Sequence, residues 1–247
     1  MSIKSFLAFS CVHLPFEDKA GVDWLIDQIA TRQPQVIVNL GDTMDTQSLS
    51  KFSESKLIEL AQEFDAANVF CQRINEAAPK AKKVWMMGNH EERMFRESVA
   101  HLSRLLDYRL HIKAARKWTH IPYTFRPDHT FTLGQVTFAH GFHTSDTACK
   151  AEAVKLGVEN GLYVHGHTHR PHDPHRINYG SLRLKNWIAN PGCFIRPGIS
   201  YMATKDDSLW GQGLISGWAN TKRRADTRMN WEAELVKRGM VWEMEAA

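Results

Sequence analysis

Cysteine is scarce in this chain, and its spacing excludes two kinds of small stabilised domain. The 247 residues include only Cys11, Cys71, Cys149 and Cys193, and no C-x-x-C pair occurs. Neither a disulfide framework nor a structural zinc knuckle is therefore indicated. Because thiols stay reduced in a cytosol by default, we predict a cytoplasmic protein.

Long apolar runs are also missing. No segment approaches the ~18 apolar residues of a membrane span, so we expect no membrane partner. The apolar stretch at residues 6–9 is too short for a secretory signal and runs directly into a polar motif. We interpret it as part of a core strand. Hydrophobic residues make up 43% of the chain, enough for one large α/β domain over residues 1–247.

A strong charge imbalance is absent too, because 31 basic and 27 acidic residues give a formal net charge of +4. The local distribution is less even. No acid lies between Asp107 and Asp128, a segment with five basic residues: Arg109, Lys113, Arg116, Lys117 and Arg126. A second basic cluster contains Lys222, Arg223, Arg224 and Arg228. Such patches suit a polyanionic partner, although solvated surface faces are the more common interpretation.

Hydrophobic periodicity predicts alternating strands and helices in the first third of the chain. We expect strands at 3–9, 36–40 and 83–87, and helices at 21–32 and about 55–78. This β-α-β-α-β order indicates a sheet with parallel strands covered by helices. Ligands of such sheets gather beyond the carboxyl ends of the strands.

The remaining pattern predicts further helices and strands. These are a helical segment over 91–117, a hairpin of 130–133 and 135–138, a helix at 146–156, and strands at 161–165, within 181–189 and at 213–218. Residues 230–244 fit either a strand pair or a helix. His172 and His175 are expected in a solvent-facing loop bounded by prolines.

Five short polar motifs follow predicted strands. They are Cys11-Val12-His13, Gly41-Asp42-Thr43-Met44-Asp45, Gly88-Asn89-His90-Glu91, Ala139-His140-Gly141 and Gly166-His167-Thr168-His169. Each presents oxygen, nitrogen or sulfur donors that suit divalent metals. One such motif alone means little, since a single histidine is usually a hydrogen-bonded structural residue. Five in order, each at a strand end, are not expected by chance.

Together the motifs resemble the signature of the calcineurin-like metallophosphoesterases: D-x-H, G-D-x-x-D, G-N-H-D/E, a lone His and G-H-x-H. The resemblance covers roughly residues 3–195. It implies an α/β fold of four layers, in which two mixed β-sheets are flanked by helices. It also implies a phosphoric ester hydrolase with two divalent metal ions (manganese, zinc or iron) and a bridging hydroxide. Residues 91–128 would be a basic helical insertion, followed by a β-rich C-terminal part.

By position, the resemblance assigns the metal ligands to two sets that share Asp42. The first set contains Cys11, His13, Asp42 and His169. The second set contains Asp42, Asn89, His140 and His167. His90 matches the family's catalytic histidine, which contacts the substrate and can protonate the leaving oxygen. Asp45 is expected to orient its loop, and Arg93 and His143 are candidates for substrate contact.

One position departs from the family pattern, because Cys11 stands where the family has Asp. A bound metal deprotonates a thiol, so Cys11 would keep the charge of the ligand. Its softer sulfur would favour zinc or iron over manganese or magnesium. Two alternatives stay open: Cys11 merely packs while three groups hold the first metal weakly, or the first site is empty and hydrolysis is crippled.

Two features bear on the substrate. Thr46 and Gln47 follow Asp45 where the protein phosphatase branch has Arg-Gly, and loss of that Arg removes a bidentate phosphate clamp. Trp118 and Tyr123 lie among basic residues and could stack on bases. We therefore expect a nucleotide or nucleic-acid phosphodiester as substrate. The alternatives are a phosphomonoesterase, a protein phosphatase, or an impaired module that binds metal or phosphate without turnover.

Overall fold

A computed structural model describes residues 2–50, 58–126, 129–179, 182–196, 208–222 and 228–240. Within these ranges the chain forms eleven strands: β1 (Ile3–Phe9), β2 (Val36–Asn39), β3 (Lys82–Met86), β4 (Thr119–Ile121), β5 (Phe131–Leu133), β6 (Val136–Ala139), β7 (Leu162–His165), β8 (His172–Tyr179), β9 (Leu182–Asn190), β10 (Gly211–Asn220) and β11 (Trp231–Met240). The strands form two mixed sheets.

Sheet 1 has the order β11-β10-β1-β2-β3-β4, and sheet 2 has the order β5-β6-β7-β9-β8. Strands β1 to β4 run parallel, while β10 pairs antiparallel with both β1 and β11. In sheet 2, β6, β7 and β9 run parallel, and the outer strands β5 and β8 are antiparallel to their neighbours. The C-terminal strands β10 and β11 are therefore part of the first sheet.

The helices are α1 (Lys19–Arg32), α2 (Leu60–Ala77), α3 (Ser103–Leu106), α4 (Tyr108–His111) and α5 (Asp146–Leu156). The Asp18 side chain caps the start of α1 by accepting the N–H of Ala20. A capping box between Glu59 and Gln62 starts α2, which ends just before Pro79. None of the described helices is both long and apolar enough to cross a bilayer.

The alternation of side chains along β1 explains the layers. Phe6 and Ala8 pack in the core between the sheets, against Phe138 and Val164 of sheet 2. Leu7 and Phe9 point the other way, into the core beneath α1 and α2. Helix α5 covers the outer face of sheet 2. This order of helices, sheet, sheet and helix is the four-layer α/β fold that the resemblance implies.

Three local predictions were wrong or incomplete. Residues 91–117 form short 3-10 turns and the one-turn helices α3 and α4, because extended backbone at Arg96 and Asp107 interrupts the helix. His172 and His175 lie in strand β8 instead of a loop. The undecided segment 230–244 contributes one strand, β11, and its last residues lie outside the described ranges.

Candidate metal centre

The five motifs meet at one edge of the molecule. The parallel strands β1, β2 and β3 end just before Cys11, Asp42 and Asn89, and β6 and β7 end just before or within the motifs of His140 and His167. Carboxyl ends of parallel strands share an edge, so residues far apart in sequence come together there. Four of the predicted ligands are almost fully buried at this edge: Cys11, His13, Asp42 and His140.

The backbone at this edge adopts an uncommon conformation. The described residues include eight non-glycine residues with positive φ, and five of them are predicted ligands: Cys11 (56°), His13 (53°), Asp42 (50°), His167 (66°) and His169 (62°). Left-handed backbone is costly for residues with a Cβ and is concentrated at functional sites. Gly88 is needed for a different reason, since a Cβ there would lie 2.1 Å from Oδ1 of Asp42.

The first half of the centre brings together Cys11, His13 and His169. Their ligand atoms all lie within 4.8 Å of one another. The Nε2 atoms of His13 and His169 are 3.2 Å apart. Two nitrogens bound to one zinc ion at ~2.0–2.1 Å with a tetrahedral angle lie about 3.3 Å apart. The two imidazoles are therefore spaced to share one cation.

The second half brings together Asp42, Asn89, His140 and His167. Nε2 of His140 lies 3.2 Å from Oδ2 of Asp42 and 3.1 Å from Oδ1 of Asn89. Nδ1 of His140 faces the carbonyl of Leu40 at 2.8 Å, which leaves Nε2 for a ligand. The ring of His167 lies 5.2 Å from that of His140. These oxygen and nitrogen donors suit a second divalent ion.

Charge in the second half is concentrated on Asp42. Burial opposes ionisation of this carboxyl, but His140 and His90 hold its pKa well below the usual value. Conversely, although burial alone lowers the pKa of His140, the Asp42 carboxylate raises it above the usual value. Asp42 is therefore an anion between two histidines, as a carboxylate shared by two metals must be.

Cys11 lies between the two halves. Its sulfur also groups with Asp42 and His140 within 4.8 Å. The thiol is fully buried, lies 2.9 Å from the Ser10 hydroxyl and accepts the N–H of His167 at 3.3 Å. Burial, followed by the charge of Asp42, raises the pKa of Cys11 well above its usual value. Without a cation the thiol keeps its proton, and metal binding must release it.

Asp45 orients two histidines rather than only its own loop. Its Oδ1 lies 3.0 Å from Nδ1 of His13 and 3.1 Å from Nδ1 of His90. These contacts turn Nε2 of both rings toward the centre. Burial works against ionisation of Asp45, but hydrogen bonds from His13 and His90 lower its pKa. Burial lowers the pKa of His90 by itself, and the carboxylates of Asp42 and Asp45 raise it overall.

Arg93 lies beside His90. Its guanidinium donates to the carbonyl of Asp45 at 2.8 Å and lies 3.2 Å from Nε2 of His90. Nε2 of His90 is also 4.0 Å from Oδ2 of Asp42. The ring of His90 also lies 4.5 Å from that of His13, so His90 borders both halves of the centre, with Arg93 beside it.

A model of the calcineurin-like phosphoesterase family matches residues 4–192. The chain belongs to this family. It is accordingly a metallophosphoesterase, a hydrolase of phosphoric esters.

Several solved structures are similar in fold at low sequence identity. The phosphoesterase Yfce from E. coli is 17% identical, with 87% of this chain and 88% of that chain covered and a TM-score of 0.44. A Vps29 mutant from Entamoeba histolytica is 13% identical, with 94% and 98% covered and a TM-score of 0.46. A phosphatase from Mycoplasma pneumoniae is 11% identical, with 99% and 97% covered and a TM-score of 0.45. No curated protein sequence matches the chain.

Glu91, to which the motifs assign no role of its own, organises the loop around Asp42. This fully buried carboxylate accepts four backbone N–H groups, from Asp42 (3.0 Å), Thr43 (2.6 Å), Met44 (3.1 Å) and Gly88 (2.9 Å). Burial and the charge of Asp42 raise its pKa, while the N–H donors act against that shift. Its place in the motif, directly after His90, was the available signal.

Two further buried glutamates hold neighbouring loops. Glu63 of α2 accepts the N–H groups of Thr46 and Gln47, the latter at 2.9 Å. Glu152 of α5 accepts the N–H of Phe142 at 3.1 Å and pairs with Nδ1 of His143 at 2.8 Å. His143 is thus fixed by a carboxylate, and the sequence carried no signal for either glutamate.

The structure corrects the interpretation of the basic patch and of Trp118. The basic residues Lys82, Lys83, Lys113, Arg116 and Lys117 line a cavity of about 600 Å³ at the amino ends of β3 and β4. The metal centre lies at the opposite, carboxyl ends, so this patch does not border it. Trp118 is buried, and its Nε1 donates to Asn75. Arg223 and Arg224 of the second basic cluster lie outside the described residues.

Tyr123 is the aromatic residue that does lie near the centre. Its ring stacks on Phe142 with 4.5 Å between centroids and meets the ring of His140 at 5.7 Å. Phe125 contacts the rings of both Phe142 and His143. All three aromatic residues are partly exposed. We call Tyr123, Phe125 and Phe142 the aromatic rim.

Proposed function

We propose that this metallophosphoesterase is a phosphodiesterase that hydrolyses a nucleotide or nucleic-acid phosphodiester at a dinuclear metal site. The observation that carries the proposal is the convergence of two groups of ligand atoms that share Cys11. Cys11 groups with His13 and His169, and it also groups with Asp42 and His140, with the atoms of each group within 4.8 Å of one another. The first ion would be held by Cys11, His13, Asp42 and His169. The second would be held by Asp42, Asn89, His140 and His167. Two bound divalent ions would supply a hydroxide nucleophile at neutral pH and neutralise charge on the phosphoryl oxygens.

The proposed general acid is His90. Its Nδ1 is held by Asp45, so Nε2 faces the substrate side of the centre. The pKa raised by Asp42 and Asp45 keeps the imidazole protonated at a higher pH than an ordinary histidine. The guanidinium of Arg93 can only donate, so it must turn from Nε2 to a substrate oxygen before a protonated Nε2 can give its proton to the leaving oxygen.

The features around the centre support a diester substrate. Arg93 offers one guanidinium beside His90, which matches the single charge of a phosphodiester. Thr46 occupies the position of the missing phosphatase arginine, and its hydroxyl donates to the carbonyl of His90 at 2.7 Å. The loop after Asp45 therefore has a neutral hydroxyl at this position. A dianionic monoester would need a second positively charged group there to bind its phosphate.

The aromatic rim supports a substrate that carries a base. Tyr123 and Phe142 present stacked, partly exposed rings next to His140. Nucleobases stack on such rings with little dependence on sequence. The rim takes over the role that the sequence suggested for Trp118.

The proposal is tested by hydrolysis of bis-p-nitrophenyl phosphate and p-nitrophenyl phosphate by metal-stripped protein. Manganese, zinc and iron(II) are added in parallel titrations. We expect turnover of the diester to return with zinc or iron(II) and to exceed turnover of the monoester. Faster hydrolysis of the monoester would contradict the diesterase assignment. No turnover with any metal would contradict the proposed catalytic centre and favour a module impaired at Cys11.

Base recognition is tested separately. Tyr123→Ala should raise KM for a dinucleotide while leaving kcat/KM for bis-p-nitrophenyl phosphate within about threefold, since stacking contributes ~1–3 kcal/mol per base. Tyr123→Phe keeps the ring and serves as the matched control. An equal loss on both substrates would assign Tyr123 to packing against His140 instead of base binding.

A further inference from the structure

The cavity at the amino ends of β3 and β4 is lined by cations from two separate parts of the chain. Lys82 and Lys83 lie at the start of β3. Three further cations come from the segment before β4: Lys113, Arg116 and Lys117. Eleven described residues line the cavity, of which five are basic and none is acidic. The cavity is therefore surrounded by positive charge alone.

Two of these cations have contacts of their own within the fold. Lys83 is buried, and its Nζ donates to the carbonyls of Ala78 at 2.7 Å and Ala81 at 3.2 Å. Ala78 caps the C-terminal end of α2, where a cation is favourable. Nζ of Lys82 lies 5.0 Å from the centroid of the Phe131 ring. We call the segment that carries the other three cations, residues 113–117, the basic turn.

The basic turn holds its charges close together without an acid. It consists of the 3-10 turn Lys113–Ala115 and the two residues that follow it. Residues three apart in such a turn lie on the same side, so Lys113 and Arg116 are neighbours, and Lys117 comes directly after them. All three are exposed, and no carboxylate that the structure describes pairs with any of them. Like charges at this spacing repel one another, and a bound anion would relieve that repulsion.

Helix α2 fixes the basic turn in place through two asparagines. Asn75 donates through Nδ2 to the carbonyl of Ala114 at 2.8 Å and accepts the Nε1–H of Trp118 at 3.1 Å. Asn68, about two turns earlier on the same helix, accepts the N–H of Ala114 at 3.0 Å. Both backbone polar groups of Ala114 are thus held by α2. The cations therefore project from a fixed base.

We propose that this cavity binds a small polyanion, a compound with several phosphate groups, at a site separate from the metal centre. Its volume of about 600 Å³ lies within the ~300–1,000 Å³ of small-molecule sites. Arg116 can bind two phosphate oxygens at once, and Lys113 and Lys117 add point charges beside it. These cations surround one cavity, whereas a nucleic-acid backbone needs a charged groove that follows the strand. The site therefore fits a compact anion.

Isothermal titration calorimetry of the metal-loaded full chain with sucrose octasulfate tests the site. This probe carries sulfate esters in place of phosphate esters, so it is not a substrate of a phosphoesterase. We expect wild type to bind the probe and R116E/K117E to bind it about tenfold or more weakly, because each reversal turns an attraction into a repulsion. K19E/R104E is the matched control, since it makes the same change in net charge at exposed positions outside the cavity. Its affinity should stay within about threefold of wild type at physiological salt.

Hydrolysis of bis-p-nitrophenyl phosphate is measured on the same preparations. R116E/K117E should match wild type, because the basic turn does not border the metal centre. The cavity does not depend on which phosphoester the centre hydrolyses, so the binding result stands apart from the proposed function. If R116E/K117E fails to fold, as judged by circular dichroism, R116Q/K117Q carries the test.

Three results would overturn the proposal. The first is no binding by wild type, or equal affinity in wild type and R116E/K117E, which would place the probe elsewhere. The second is an equal loss of affinity in K19E/R104E, which would mean that only the net charge attracts the probe. The third is a phosphorothioate oligonucleotide that binds more tightly than the probe through Arg116 and Lys117, which would favour a nucleic acid over a small polyanion.

Discussion

The two halves of the metal centre are built alike but offer different ligands. Each half contains left-handed backbone: at Cys11, His13 and His169 in one half, and at His167 in the other, with Asp42 in the shared position. The half around Cys11 offers sulfur and imidazole nitrogen, whereas the half around Asn89 and His140 offers oxygen and imidazole nitrogen. We therefore expect the side chains of each half to decide its metal preference.

Substitution of Asp42, the carboxylate that we propose both ions share, should have the largest effect on turnover. Asp42→Asn removes the anion between them, and we expect turnover to fall by ~10³-fold or more, since charge stabilisation of this kind is worth several kcal/mol. The measurement is bis-p-nitrophenyl phosphate hydrolysis together with metal content. Asp27→Asn on the exposed face of α1 is the matched control. Turnover within about threefold of wild type would exclude Asp42 as the shared ligand.

Substitution of His90 should affect the chemical step without affecting metal binding. His90→Ala should lower turnover by ~10²–10⁴-fold if the imidazole is the general acid, while metal content stays unchanged. Its structural neighbour Arg93 offers a comparison, because Arg93→Lys keeps a charge but loses the planar contact to the Asp45 carbonyl. Unchanged turnover in His90→Ala would remove this residue from the mechanism, and lost metal would make it a ligand.

Cys11→Asp tests the difference between the halves directly. The substitution replaces sulfur by oxygen, so the ratio of manganese-supported to zinc-supported turnover should rise by roughly tenfold, equal to ~1.4 kcal/mol of relative binding. Cys149→Ser, at a buried cysteine of α5 outside the cluster of Cys11, should leave the ratio unchanged. An unchanged ratio in Cys11→Asp would mean that the thiol only packs.

The last prediction concerns the free energy of unfolding rather than turnover, and it depends on Glu63. Burial and the charge of Asp45 raise the pKa of Glu63 from 4.5 to about 8. The folded state therefore binds this proton more tightly, and its stabilising effect is complete below pH 4.5 and lost as the pH rises to about 8. Each pH unit in this window costs at most about 1.4 kcal/mol.

Urea unfolding of metal-free protein at pH 6 and pH 8.5 measures this effect. Wild type should lose stability between the two values, and Glu63→Gln, which carries no titrating proton, should lose less. Asp65→Asn in the same helix is the control, since its side chain is exposed. An equal loss of unfolding free energy in wild type and Glu63→Gln would contradict the raised pKa of Glu63.

The fold was predictable because the strands that carry the motifs are short, apolar and regularly spaced. Periodicity located β1, β2 and β3 to within a residue or two, and the order of the motifs indicated the four layers. The broken segment after Glu91 was not predictable, because its apolar spacing is helical while backbone turns at Arg96 and Asp107 depend on tertiary contacts.

The sequence predicted which residues meet at the candidate site, but it did not predict which other residues hold them in place. Motif order indicated which side chains converge, and the structure brings them to one edge. The roles of Glu63 and Glu91 could not be read from sequence, because a carboxylate that accepts backbone N–H groups looks like any surface glutamate until the loop is folded around it. The position of His172 and His175 in strand β8 could not be predicted either, because it depends on pairing with β9.

The most direct test of the account is X-ray absorption at the zinc edge of zinc-loaded, active protein. If Cys11 is a ligand of the first ion, the spectrum contains a sulfur scatterer at ~2.3 Å, and this scatterer is absent in Cys11→Ser. A spectrum of nitrogen and oxygen scatterers alone in active wild-type protein would contradict the assignment of Cys11 and with it the distinction between the two halves.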